Sequence, residues 1–261
     1  MRGPSGVLAL VLAETAAGTA AALWLTPLWG AVKRGFFILT GAVAFVCAVL
    51  AAASGSVASD PDGSLGFSEL AVRGLVTTAV ILGLSLVALV LRLQVIGRVL
   101  GLLGVASSVG SLWLLVYLAD PSHPVAFFQL LAGALFMGAV TVGLLLGHWY
   151  LTDRRLGREH IQRLSLLLIV AVVVEGVAIA SGGFGDLSAP AVGFSPFLSI
   201  SGLASWLALG MAAATALIAV LIRASLRGTR ARAVQAATGF FYLAVITAFT
   251  AETAAKIPFL S

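Results

Sequence analysis

Hydrophobic positions in this chain do not alternate with polar ones. They run on in eight stretches, at 6–26, 35–55, 70–91, 99–119, 125–147, 162–181, 197–222 and 233–257, separated by short segments rich in Gly, Pro, Ser, Asp and Arg. About 20 apolar residues carry one helix across the hydrocarbon core of a bilayer. Barrel strands would show segments of about ten residues with alternating polarity instead. The pattern therefore predicts an all-α integral membrane protein of eight transmembrane helices. Residues 1–261 read as a single polytopic membrane domain with no room for a soluble one. The first run is of full spanning length and contains Glu14, so it reads as the first helix and not as a cleaved signal peptide.

Composition agrees, with 61% hydrophobic and 10% charged residues, against roughly 25% charged in an average soluble domain. The net charge of +5 does not point to nucleic acid, because the basic residues cluster in short loops, where topology alone requires them. Lys33, Arg34, Arg92, Arg98, Arg154, Arg155, Arg158, Arg163, Arg223, Arg227, Arg230 and Arg232 fall in the first, third, fifth and seventh loops. That is twelve of fifteen, leaving Arg2, Arg73 and Lys256 on the other side. By the positive-inside rule the odd loops are cytoplasmic and both termini face outward from an inner (cytoplasmic) membrane. The single cysteine, Cys47, lies mid-span, which excludes a disulfide framework or a thiolate metal cluster.

A weak internal repeat accompanies the eight runs. Ala-Ser54-Gly55 followed by Asp60 closes the second run, and Ala-Ser181-Gly182 followed by Asp186 closes the sixth. Likewise Leu-Val-Leu-Arg92 ends the third run and Val-Leu-Ile-Arg223 the seventh. Two four-helix halves in the same orientation, 1–122 and 123–261, would follow. The small-residue spacings Ala134-xxx-Gly138, Gly143-xxx-Gly147 and Gly101/Gly104 read as helix-packing positions.

Three carboxylates, Glu14, Glu175 and Glu252, fall inside the spans. An ionisable group at membrane depth is costly and is by default a functional-site hypothesis. In the orientation above all three lie in the outer half, with Asp120, His123, Arg73 and Lys256 near the same level. Glu14 and Glu175 are the leading candidates for proton-exchanging, catalytic groups, and Asp120, His123, Arg73 and Glu252 accompany them. The bland alternative pairs each acid with Arg73, Lys256 or a backbone group and lets Glu252 snorkel to the interface.

A second constellation, Gly147-His148-Trp149-Tyr150 with His160 beyond Asp153-Arg154-Arg155, marks the cytoplasmic ends of spans five and six. Its aromatics suit an interfacial belt, which leaves His148 and Tyr150 as further quinone- or proton-site candidates. His148 and His160 are a conceivable bis-His haem pair, but with three histidines in the chain and no second pair deeper in the bundle, haem b is not expected. No metal-ligand spacing, Ser-His-Asp order or phosphate-cradling loop is present, which argues against hydrolytic and nucleotide chemistry.

The first helix reads Leu-Ala-Glu14-Thr-Ala-Ala-Gly18-Thr-Ala. With eight spans and two similar four-helix halves, this resembles the polysulfide-reductase membrane-anchor (NrfD-like) family. The resemblance implies a subunit with no metal of its own that binds quinol near the outer face and passes electrons to an iron–sulfur partner. It carries over Glu14 alone, as a quinol-site acid. The expected function is the membrane subunit of a respiratory electron-transfer complex, with quinone as its cofactor. Such a chain is at most a quinol-oxidising or non-catalytic subunit of an oxidoreductase. Quinol oxidation releases two protons, which buried carboxylates are suited to accept. A proton- or cation-coupled small-solute transporter is the alternative from a different class, and a structural or assembly subunit is a third.

Overall fold

The computed structural model describes residues 4–26, 28, 32–58, 69–117, 124–153, 156–182, 201–227 and 232–257. They form eight helices: α1 (Pro4–Leu25), α2 (Arg34–Ala58), α3 (Glu69–Val90), α4 (Gln94–Tyr117), α5 (Pro124–Thr152), α6 (Glu159–Ser181), α7 (Ser201–Ser225) and α8 (Arg232–Ala255). All eight are long and apolar enough to cross a membrane. Lipid offers the backbone no hydrogen-bond partners, and a helix satisfies every interior N–H and C=O within its own segment. The protein is an all-α, eight-span membrane protein.

Most helix ends fall within a few residues of the apolar runs, with one informative departure. The fifth apolar run stops at 147, whereas α5 continues through Thr152 and is 29 residues long, about 43 Å. Hydropathy marks the part of a helix that suits lipid, while intrahelical hydrogen bonds carry the helix on through polar side chains. His148, Trp149 and Tyr150 therefore sit on the last turns of α5 and not in a loop after it. The Tyr150 hydroxyl donates to the Gly157 carbonyl and so ties the end of α5 to the approach to α6.

Two four-helix rings make up the bundle. In the first, α1 packs on α2 and α4, α2 on α3, and α3 on α4; in the second, α5 packs on α6 and α8, α6 on α7, and α7 on α8. The rings meet chiefly through α1 and α5, flanked by contacts of α4 with α5 and α1 with α8. Polar bonds at matching places hold the outer helix pairs. Thr78 of α3 bonds Ser107 and Ser111 of α4 at 2.9 Å, and Thr215 of α7 bonds Thr247 of α8 at 2.7 Å.

The α1–α5 crossing is a backbone-to-backbone contact. A Cβ on Gly18 would lie 1.6 Å from the Ala134 carbonyl oxygen, and one on Gly138 would lie 2.2 Å from the Gly18 carbonyl. In lipid, where hydrophobic burial does not drive helices together, such close approach supplies the packing attraction. Farther along α5, the space over Gly143 is filled by the Phe241 ring and that over Gly147 by the Thr238 side chain, both from α8. The outward faces are apolar at helical spacing, as in Val76, Val80, Leu84 and Val87 of α3 and Val170, Val173 and Val177 of α6. These exposed stripes are the lipid-facing surface.

Arg92 closes α3 in the left-handed conformation, with φ of 65°. The Leu93 amide donates to the Ala88 carbonyl and the Arg92 amide to the Leu89 carbonyl. This is a Schellman motif, with Arg92 at the position glycine usually takes. It makes the α3–α4 turn tight, and the Ser85 hydroxyl, donating to the Gly97 carbonyl at 2.8 Å, pins that turn from inside.

Candidate functional site

The two rings meet around a cluster of charge. Glu14 of α1, Glu175 of α6, Glu252 of α8 and Lys256, the residue after α8, are each exposed by 1% or less. Lys256 Nζ lies 2.7 Å from Glu14 Oε1 and 2.9 Å from Glu252 Oε2. Glu252 and Lys256 are four residues apart on one helical face, a spacing that brings such side chains together. Glu14 reaches them from the other ring. Glu175 is buried beside them.

Glu14 Oε2, Glu252 Oε1 and Glu175 Oε2 are buried without a hydrogen-bond donor among the described residues. Three carboxylates against one ammonium give a formal charge of −2 when all are ionised, and two protons neutralise it. A buried charge is tolerated only when paired and hydrogen-bonded.

Gly133 of α5 gives the cluster its room. A Cβ there would lie 2.8 Å from Glu14 Oε1, 2.8 Å from Glu252 Oε2 and 2.9 Å from Glu14 Cδ. It is five residues before Gly138 on the helix that crosses α1, so the crossing that locks the rings together also brings Glu14 over the glycine. The sequence reading passed over Gly133. Its only signal was a place in the small-residue run Ala132-Gly133-Ala134, which many helices share.

Glu175 and Glu252 lie toward the end of the bundle where α1 begins and α8 ends, and Glu14 lies near the middle of α1. Glu14 is ten residues into α1, about 15 Å; Glu175 is six residues from the end of α6, about 9 Å; and Glu252 is three from the end of α8. Glu252 does not snorkel, being fully buried and paired within the cluster, and it stands level in rank with Glu14 and Glu175. Of the two cations proposed as counter-ions, Lys256 is the one that serves. Arg73 lies on an exposed face of α3 and pairs at 2.6 Å with Glu69, one turn earlier. Asp120 and His123 lie outside the described residues.

The second constellation stays at the opposite end of the bundle. His148 points outward and is exposed, Tyr150 is engaged with Gly157, and His160 is half-buried with Nδ1 unpartnered among the described residues. Lys33 and Asp153 form an ion pair of 2.7 Å nearby, joining the start of α2 to the end of α5. Among the described residues no three His, Cys, Asp or Glu side chains are grouped so as to hold a metal ion.

No protein-family model, curated protein or solved structure matches this chain.

Proposed function

We propose that this protein binds and releases protons inside the membrane, and that Glu14 and Glu175 are the groups that do so, beside Glu252 and Lys256. One observation carries the proposal: three buried carboxylates gather about a single buried ammonium, which is ion-paired with two of them. Intramembrane acids that face a bundle interior mark proton relays and substrate paths. Ion pairing for helix assembly alone would need one acid per lysine, and here two are in excess.

Quinol oxidation is the process we place first. It yields two protons with two electrons, which matches the two protons that separate the fully ionised cluster from its neutral form. In this reading the chain is the membrane subunit of a respiratory complex in the inner membrane, with its termini outward. It positions quinol, takes up the protons and leaves the electrons to an iron–sulfur partner, because the cofactor supplies the redox chemistry while the protein orients it. Proton-coupled solute transport is the second reading. The observation favouring it is that Glu14 belongs to one ring and the other three groups to the second, so protonation would alter the contact between the rings.

Purified protein in lipid should show carboxyl infrared bands that change with pH and that Glu14→Gln and Glu175→Gln each diminish. A carboxyl signal indifferent to pH and to both substitutions would overturn the proposal. Quinone retained in the lipid extract, with quinol-linked activity lowered in Glu14→Gln, would support the redox reading. Solute-dependent acidification in proteoliposomes free of quinone would replace it with the transporter.

A further inference from the structure

The arginines on the basic-loop side differ in what they touch. Arg223, in the last turn of α7, is half-buried, and its guanidinium leaves its own helix to reach α6, where Nη1 donates to the Gln162 carbonyl at 3.3 Å. That bond is long for an N–H donor. The same carbonyl already accepts the Ser165 hydroxyl at 2.7 Å. A guanidinium offers five N–H donors in a fixed fork. Arg223 spends one of them weakly, and no carboxylate pairs with it among the described residues. A cation held between two helices with most of its donors unspent is a seat for an anion, and the fork suits a phosphate.

Two more arginines flank it. Arg227, one turn beyond Arg223, is exposed. Arg163, next to Gln162 on α6, is exposed too, and its 3.6 Å pair with Glu159 joins two largely solvated side chains, a contact worth little. α6 packs on α7 and starts at the end of the bundle where α7 finishes, so the three guanidiniums stand at one mouth of the α6–α7 groove. What lies beyond them decides the class of anion. From Arg163 the exposed face of α6 continues through Leu166, Val170 and Val173. From Arg227 the exposed face of α7 continues through Ala224, Val220 and Leu217. Each is an apolar, lipid-facing stripe at helical spacing, headed by an arginine. Each runs ten residues, about 15 Å, the thickness of one leaflet of the hydrocarbon core. A free phosphate would use the arginines alone, whereas a phospholipid uses arginines and stripes together.

We infer that the α6–α7 groove binds an anionic phospholipid at its basic-loop end, with the phosphate on Arg223 between Arg163 and Arg227 and the acyl chains along the two stripes. Basic pockets between transmembrane helices are recurrent sites for anionic headgroups. The site is separate from the charge cluster. Glu175 is twelve residues along α6 from Arg163, about 18 Å, and faces the interior. Lipid binding therefore stands or falls independently of proton exchange.

The test is native mass spectrometry of the full-length protein in detergent, given equimolar phosphatidylglycerol and phosphatidylcholine with the same acyl chains. The wild type should retain phosphatidylglycerol in preference. Arg223→Gln should lower that preference about fivefold, and Arg163→Gln/Arg227→Gln about twenty-fivefold, at about fivefold for each arginine. The double variant alters only exposed side chains, so it keeps the test decisive if Arg223→Gln does not fold. Arg223→Lys, which keeps the charge and loses the fork, should fall between Arg223→Gln and the wild type. Arg92→Gln removes a charge from the same side of the bundle but in the other ring, and should match the wild type. Equal retention of the two lipids by the wild type, or an equal loss of preference in Arg92→Gln, would overturn the site. Displacement of the lipid by inorganic phosphate would overturn a phospholipid as its occupant and leave a simple anion seat.

Discussion

Lys256 Nζ lies 2.7 Å from Glu14 Oε1, so the residue that follows the last helix is ion-paired with the first. The pair joins the two rings of the bundle at their charged centre. Its neighbours, Glu252 and Glu175, make it part of a network and not an isolated bridge.

Removing one member of a buried pair strands its partner. Lys256→Met should therefore lower stability by about 3–5 kcal/mol, read as thermal unfolding in detergent. The double variant Lys256→Met/Glu14→Gln should be more stable than the sum of the single losses implies, because Glu14 no longer strands a charge, although Glu252 still does. Strictly additive losses would show that Lys256 and Glu14 are not coupled.

Two glycines of the same interface should respond differently to alanine. At Gly133 the new methyl meets the far ends of two carboxylate side chains, at 2.8 Å each, and these can swing away. Gly133→Ala should fold and should alter the pH profile of the carboxyl infrared bands. At Gly18 the methyl meets the Ala134 backbone at 1.6 Å, which can yield only if α1 and α5 move apart. Gly18→Ala should cost upward of about 2 kcal/mol or abolish folding. Equal effects at the two sites would contradict the geometry.

Arg92 holds a left-handed backbone that disfavours any side chain. Arg92→Gly removes that strain and should raise stability by about 1 kcal/mol, again by thermal unfolding. A loss of stability would mean that the arginine side chain contributes more than its backbone costs.

The membrane orientation expected from the basic loops can be read with single cysteines in a Cys47→Ser background. Gly157→Cys, in the connection carrying Arg158, should react with an impermeant maleimide only in inverted vesicles. Ser181→Cys, at the opposite end of α6, should react in intact cells. The reverse pattern would invert the topology.

Eight spans were legible because each apolar run is judged by its own length, with no knowledge of neighbours needed. The acids stood out for the same reason: Glu14, Glu175 and Glu252 are costly in lipid whatever surrounds them. Arg73 and Lys256 could not be told apart by depth alone, since both lie near the termini side. Helix rotation decided between them, turning Arg73 outward to Glu69 and Lys256 inward to Glu14. Gly133 was invisible, because a glycine in a helix carries no sign of what faces it.

Hydrophobic length and loop charge, then, are local quantities, and from them the chain alone determined that it is a polytopic helical membrane protein and which of its residues are expensive to bury. Convergence is not local. That three acids from α1, α6 and α8 share one lysine was decided by the Gly18–Gly138 crossing, where two backbones touch and fix the rotation and depth of α1 against α5. Packing in lipid selects that contact by shape, and shape is a property of two surfaces together.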